Sequence, residues 1–219
     1  MARSPEEYER EIERLQQSNQ GLSALCREAH HRIKNDLQAL AGFCYLQLST
    51  CTTQEAKDVL LSTIMRMRSI ALVHQLLLQG NDPSVNILQL AEGIMGMGVQ
   101  LAGDEKNLSF SAEGNALLVN QKKATDFAIV INELVSNCLK HGFKNRGSGT
   151  MRLSLSEDEH RTALLEVRDN GIGLPEGFDS ERDARLGLRI VTDIVKEDLG
   201  GDIRLTSQNG TRVVITFPL

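Results

Sequence analysis

The sequence predicts an α+β chain in which a helical hairpin precedes a sandwich of helices laid over one face of a sheet. Three observations lead there. From residue 22 to 78 apolar residues recur at the three-and-four spacing of amphipathic helices, interrupted once by a polar, Thr-rich stretch at 49–53. Beyond the breaker Gly80-Asn81-Asp82-Pro83, helical and alternating segments are interleaved, and the alternating ones follow one another mostly as hairpins. The 219 residues, 41% hydrophobic, suffice for one large or two modest cores. The expected units are a coiled-coil helix over 1–21, a helical hairpin over 22–80 and the sandwich over 84–219.

From Ser4 to about Arg27 the chain is rich in Glu, Arg and Gln. Tyr8, Ile12, Leu15, Asn19, Leu22, Cys26, Ala29 and Ile33 advance by alternating steps of four and three. That is a heptad seam, and Asn19 at a core position fixes register in two-stranded coils. The seam falters at Asp36, where the apolar stripe moves to Leu37 and Leu40. Ser49–Thr53 reads as a helix–helix turn. The second helix, from about Gln54 to Leu78, is apolar over too broad a face for one partner. Dimerisation of the hairpin into a four-helix bundle would cover that face; burial within one globular domain is the alternative. His74 on this helix receives no role. After the breaker come a helix from about Val85 to Leu101, a strand at 107–113 and a helix from about Gln121 to His141. Strands near 151–156 and 163–169 lead to a helix over about 186–199, capped by Gly200-Gly201, and to strands near 202–207 and 212–217.

A net charge of −5 with no concentrated basic patch argues against a nucleic-acid binder. Cys26, Cys44, Cys51 and Cys138 form no CxxC pair, which suits a reduced cytoplasmic protein better than a disulfide or zinc scaffold. No apolar run is long enough to span a membrane, and no signal-peptide pattern opens the chain. A soluble protein is expected.

The most informative stretch is Ala29-His30-His31-Arg32-Ile33-Lys34-Asn35-Asp36-Leu37-Gln38. At about 100° per residue the centre of the apolar stripe lies roughly 150° from His31 and about 55° from His30. His31 therefore faces solvent beside Arg27, Lys34 and Gln38, while His30 sits on the shoulder of the buried seam. An exposed imidazole among cations can act as a nucleophile toward a phosphoryl group; taken alone, it reads first as a solvated surface residue. On the helix ending at His141, residues Glu133, Asn137, Lys140 and His141 share a stripe distinct from the apolar face. Carboxylate, amide, ammonium and imidazole together can grip a metal–phosphate group, with magnesium needing few protein oxygens; a solvated polar face is the plain alternative. Val167-Arg168-Asp169-Asn170-Gly171-Ile172-Gly173 places a carboxylate at a strand end, followed by glycines that let backbone approach a ligand. Arg185-Leu186-Gly187-Leu188 opens a helix whose amides can bind phosphate. Gly210-Thr211 enters the last strand.

These four pieces, in this order, resemble the asparagine box and the three glycine boxes of the Bergerat ATP-binding fold, shared by histidine kinases, gyrase-type ATPases and mismatch-repair ATPases. With the His31 motif ahead of them, the chain from Leu22 to Leu219 resembles a sensor histidine kinase core. It is most similar to the subclass whose phosphoacceptor helix reads His-His-Arg-x-Lys-Asn-Asn-Leu-Gln, near the HWE kinases. The resemblance implies ATP and Mg2+ as cofactors, His31 as phosphoacceptor, Asn137 as magnesium ligand and Glu133 as a catalytic helper near the γ-phosphate. It also implies that Lys140 and His141 contact phosphates and that Asp169 accepts the adenine amino group. Gly171, Gly173, Gly187 and Leu188 would line the nucleotide, with Thr211 supporting the adenine end. The expected partners are the receiver domain of a separate response regulator, a second copy of the chain and an upstream sensor, with no nucleic acid and no membrane.

Three departures stand out. Arg32 follows the phosphoacceptor where an acidic residue is usual, which leaves Glu28 as the nearest carboxylate for the proton. Asp36 replaces an Asn, and only thirteen residues separate Gly173 from Gly187, so the lid over the nucleotide is short. The competing functions are a serine kinase of the anti-sigma type with the same fold, and a degenerate scaffold that receives phosphate without using ATP. The first has no use for the His31 motif, and intact Asn137, Asp169 and Gly171 speak against the second.

Overall fold

The computed structural model describes residues 5–80, 83–103, 107–159, 161–180 and 182–219. Helix α1 (Pro5–Leu48) runs without interruption through both the heptad seam and the His31 motif. A tight turn then reverses the chain into α2 (Gln54–Gln79). Thr53, in extended backbone, caps α2 by accepting a hydrogen bond from the Ala56 N–H at 3.2 Å, which satisfies one of the amides a helix start leaves unpaired.

The apolar stripe expected to be buried along α1 is largely open in the single chain. Ala41 is buried and Leu37, Cys44 and Leu48 are half-buried, whereas Leu22, Leu25, Ile33 and Leu40 are exposed, as are Phe43, Tyr45 and Leu46. The reason is that, among the described residues, this helix packs chiefly against α2. The broad face of α2 is covered from two directions. One is α1; the other is the C-terminal unit, whose core takes in Val73 and Leu77 of α2. Leu72 packs so closely on Gly93 of α3 (Ile87–Ala102) that a β-carbon there would collide with it. The breadth that pointed to a second hairpin is thus partly satisfied inside the chain.

The expected start of a helix at Val85 is instead strand β1 (Ser84–Asn86). It pairs antiparallel with β3 (Leu118–Asn120), burying Val85 against Val119, and Asn86 then caps α3 at the Leu88 N–H. The main sheet has β2 (Asn107–Gly114) at one edge, followed in space by β4 (Ser148–Glu157), β5 (Thr162–Asp169), β7 (Thr211–Pro218) and β6 (Asp202–Ser207). Only the β2–β4 pair is parallel. Alternation along β5 sends Ala163, Leu165, Val167 and Asp169 to the buried face. On that face lies α4 (Gln121–Asn137), with Phe127 against Phe217 of β7 at a centroid distance of 5.0 Å. So the strand's own period delivers a carboxylate to the helix side of the sheet.

Helix α4 does not continue regularly to His141. Cys138–Gly142 is a π-helical turn, closed by Phe143 N–H donating to Cys138 C=O at 2.8 Å. Helix α5 (Leu186–Asp193) runs into a similar turn, Ile194–Asp198, and Gly200, with φ +64, lets the backbone leave it. Among the described residues no helix is long and apolar enough to cross a membrane.

Candidate functional site

Between the end of α4, the end of β5, the loop 170–185 and the start of α5 lies a cavity of about 560 Å³. Asn137, His141, Asp169, Gly173, Gly187, Leu188 and Thr211 all line it. Asp169 is 7% exposed. Its Oδ1 accepts from the Gly171 N–H at 2.7 Å and the Thr211 N–H at 3.1 Å. Two backbone donors fix one oxygen of this buried carboxylate, and its other oxygen is left for a ligand's donor. The first glycine is required by space: a β-carbon at Gly171 would come within 2.5 Å of Gly142 C=O. Gly173 is required by conformation, with φ +78.

Asn137 lines the cavity, and its carboxamide has no hydrogen-bond partner among the described residues. No group of three or more His, Cys, Asp or Glu that could hold a metal exists among those residues. A magnesium ion held by one amide oxygen, substrate phosphates and water fits that donor set. The His141 imidazole is shifted toward the neutral form, first by partial burial and then by the nearby charges of Arg185, Lys140 and Lys144. Burial and the neighbouring Asp169 push the Cys138 thiol far above its ordinary range, so this thiol is inert.

The polar stripe foreseen on α4 divides in two. Asn137 and His141 face the cavity. Glu133 and Lys140 face α2 and do not line it. Glu133 Oε1 accepts from Arg66 Nε at 2.6 Å and from Asn132 Nδ2 at 3.2 Å, while its Oε2 lies against Gly187, where a β-carbon would collide with it. Lys140 Nζ donates to the Asp58 carbonyl at 3.3 Å.

On α1, His31 is exposed, as its helical angle requires. Its Nδ1 lies 3.3 Å from Asn35 Nδ2, one turn on. Glu28, the carboxylate nearest in sequence, is engaged by Arg32 at 2.7 Å. His30 turns inward and meets His74, Nδ1 to Nδ1 at 2.8 Å, which gives His74 the partner it lacked in the sequence.

Comparison with known proteins adds three findings. A family model for the histidine kinase-, DNA gyrase B- and HSP90-like ATPases matches residues 122–219, and a histidine kinase model matches residues 28–101. The sensor histidine kinase PdtaS of Mycolicibacterium smegmatis is 33% identical over 211 residues, 95% of this chain and 42% of that protein. The blue-light-activated histidine kinase 2 of Erythrobacter litoralis is 26% identical over 202 residues, 88% of this chain and 56% of that protein.

The chain belongs to the histidine kinase family. It spans about two fifths of the length of PdtaS. The fold agrees with the histidine kinase domain of the Erythrobacter litoralis EL346 blue-light-activated kinase, with a TM-score of 0.66 at 20% identity, covering 88% of this chain and 94% of that one.

In this histidine kinase the cavity has walls the sequence did not single out. Arg182 and Arg185 from the short loop, and Lys144 beyond the π-helical turn, line it, together with Glu176 and Asp183, the latter paired with Arg182 at 2.8 Å. Arg185 stands two residues before Gly187, so its place beside the helix start was open to notice. Arg182 lies in a loop with no periodicity, and only the fold shows where it goes.

Proposed function

We propose that the chain is the core of a two-component sensor kinase that phosphorylates itself on His31 with Mg-ATP and passes the phosphoryl group to an aspartate of a separate response regulator. The observation carrying this is the cavity built on Asp169. One carboxylate oxygen is saturated by backbone amides, and the other is available to an exocyclic adenine amino group, a donor that guanine lacks at that position. The triphosphate then extends toward Asn137, His141 and the start of α5, where Arg185 and Lys144 supply charge. Asn137 would hold the magnesium ion, which neutralises phosphate charge when bound.

The Asn35 carboxamide stands beside Nδ1 of His31 and leaves Nε2 open to solvent for the reaction. In the tautomer protonated at Nδ1, the Nε2 lone pair attacks the γ-phosphorus as the bond to the ADP oxygen breaks, and the Nδ1 proton leaves to solvent; the chain's contribution is positioning and charge neutralisation. Residues 1–21 would carry signal from an upstream sensor, 22–80 would present His31, and 84–219 would bind the nucleotide. The open apolar face of α1 supports a homodimer joined through the hairpin.

The test is incubation with γ-labelled ATP. Acid-labile label should appear on the wild-type chain and vanish in His31→Gln. Calorimetry should show ATP binding retained by His31→Gln and weakened at least tenfold in Asp169→Asn, roughly what one misdirected charged hydrogen bond costs. Undiminished label on His31→Gln would sink the assignment, and acid-stable label on a partner would favour the serine-kinase alternative.

A further inference from the structure

Helix α2 crosses the nucleotide-binding unit in a register whose polar contacts lie along the helix from the level of His31. Three polar contacts define it, and position on α2 rises as position on α4 falls. The Asp58 carbonyl meets Lys140, Arg66 meets Glu133, and Ser69 Oγ donates to Asn132 Oδ1 at 3.3 Å. On the other side of the hairpin, His74 of α2 is level with His30 of α1. Arg66 is eight residues along α2 from His74, so at 1.5 Å per residue the Arg66–Glu133 contact sits roughly 12 Å from the level of His31, and Asp58 roughly twice as far. Glu133 in turn abuts Gly187, at the phosphate end of the cavity. In this arrangement the γ-phosphate of a bound ATP would lie well short of its acceptor.

We infer that Arg66 is a latch: its ion pair with Glu133 holds the nucleotide-binding unit in a resting register on α2, and must open before phosphate can reach His31. The inference rests on the reading of the cavity as an ATP site and of His31 as acceptor. The pair suits the task. The Glu133 side chain is 4% exposed and Arg66 30%, so the carboxylate is dry enough to need its partner while the guanidinium keeps a way out to water. A triphosphate arriving at Asn137 and Gly187 places negative charge beside Glu133 and competes with it for Arg66. The same charge draws Lys140 off the Asp58 carbonyl. Nucleotide binding thereby weakens two of the three polar contacts at once, leaving the Ser69–Asn132 hydrogen bond and the apolar packing of Leu72, Val73 and Leu77 to hold the register.

Three measurements on the full chain decide it. In Arg66→Gln, at saturating ATP, the initial rate of labelling at His31 should rise roughly fivefold or more, the lower end of coupling between linked sites. Arg66→Lys should stay near wild type. An Arg66→Gln rate equal to or below wild type, with ATP binding intact, overturns the latch. Amide hydrogen exchange along Ile64–Ala71 gives a reading that needs no chemistry at His31. It should quicken in Arg66→Gln, and in wild type on adding a non-hydrolysable ATP analogue; unchanged exchange in both overturns the latch even if the kinase reading fails. Should Arg66→Gln not fold, the pair Ser69→Cys with Asn132→Cys traps the register by a disulfide. Oxidised, that variant should bind ATP yet label at least tenfold more slowly, with reductant restoring the rate. Full labelling in the oxidised form would refute the proposal.

Discussion

At the scale of single residues, the His30–His74 pair makes this fold sensitive to acid. Two imidazoles meeting Nδ1 to Nδ1 at 2.8 Å share one proton between those atoms, so the contact fails when both rings are charged. Burial, and then the charge of His30, hold the His74 pKa below its ordinary value. The unfolded chain takes up a proton near pH 6.5 that the folded chain still refuses. Stability is therefore full above that pH, falls as the pH drops below it, and levels off below the folded pKa. The melting temperature should be lower near pH 5.5 than near pH 7.5, and His74→Gln, which keeps a polar partner for His30 without titrating, should flatten the difference. An unaltered pH profile in that variant would remove His74 from the account. The outward direction of His31 and the inward direction of His30 were readable from a helical angle alone. The partner of His30 was not, because it lies 44 residues away on another helix. Nor was that of Glu133, 67 residues from Arg66. Periodicity says which face a residue occupies and nothing about what will cover it.

At the scale of elements, local chemistry placed most boundaries. The Thr-rich break became the hairpin turn, and the residue ending it became the cap of α2. Thr53→Ala should cost about 1 kcal/mol, the usual worth of such a cap, which for a chain of this size lowers the melting temperature by roughly 2–4 °C. ATP binding should be unaffected, and a larger loss would mean that Thr53 does more than cap. Two elements departed from their patterns. Val85 reads as the start of a helix, yet it forms a three-residue strand because Val119 offers a buried partner from the far side of α3 and β2. The helix carrying Asn137 keeps its length but widens into a π-helical turn after it. Asn137 and His141 meet the cavity while Glu133 and Lys140 meet α2, although an ideal helix would hold all four on one stripe. A π-helical turn has no propensity signal of its own and is held by what surrounds it.

At the scale of the whole molecule, the open apolar face of α1 sets the expectation for assembly. Leu22, Leu25, Ile33, Leu40 and Phe43 are exposed on a helix that packs, among the described residues, chiefly against α2. A second copy covering them would make stability depend on protein concentration. Sedimentation should show a dimer for the wild type and a monomer for Leu40→Glu with Phe43→Ser, the monomer still binding ATP. A wild-type monomer at every concentration would show that this face is covered by something else. The molecule also answers how the breadth of α2 is used. One side serves the hairpin, and the other serves as the platform for α3 and α4.

The order of the boxes, the outward histidine, the strand ending in Asp169 and the glycines after it were all decided by sequence alone. Each depends on neighbours within a few positions, through helical or strand period and the freedom of glycine. Tertiary structure decided which side of α4 meets the ligand and which meets α2, and at what level of the hairpin the nucleotide cavity rests. Those are matters of packing between elements far apart in the chain, where shape and buried charge rather than local preference select the outcome.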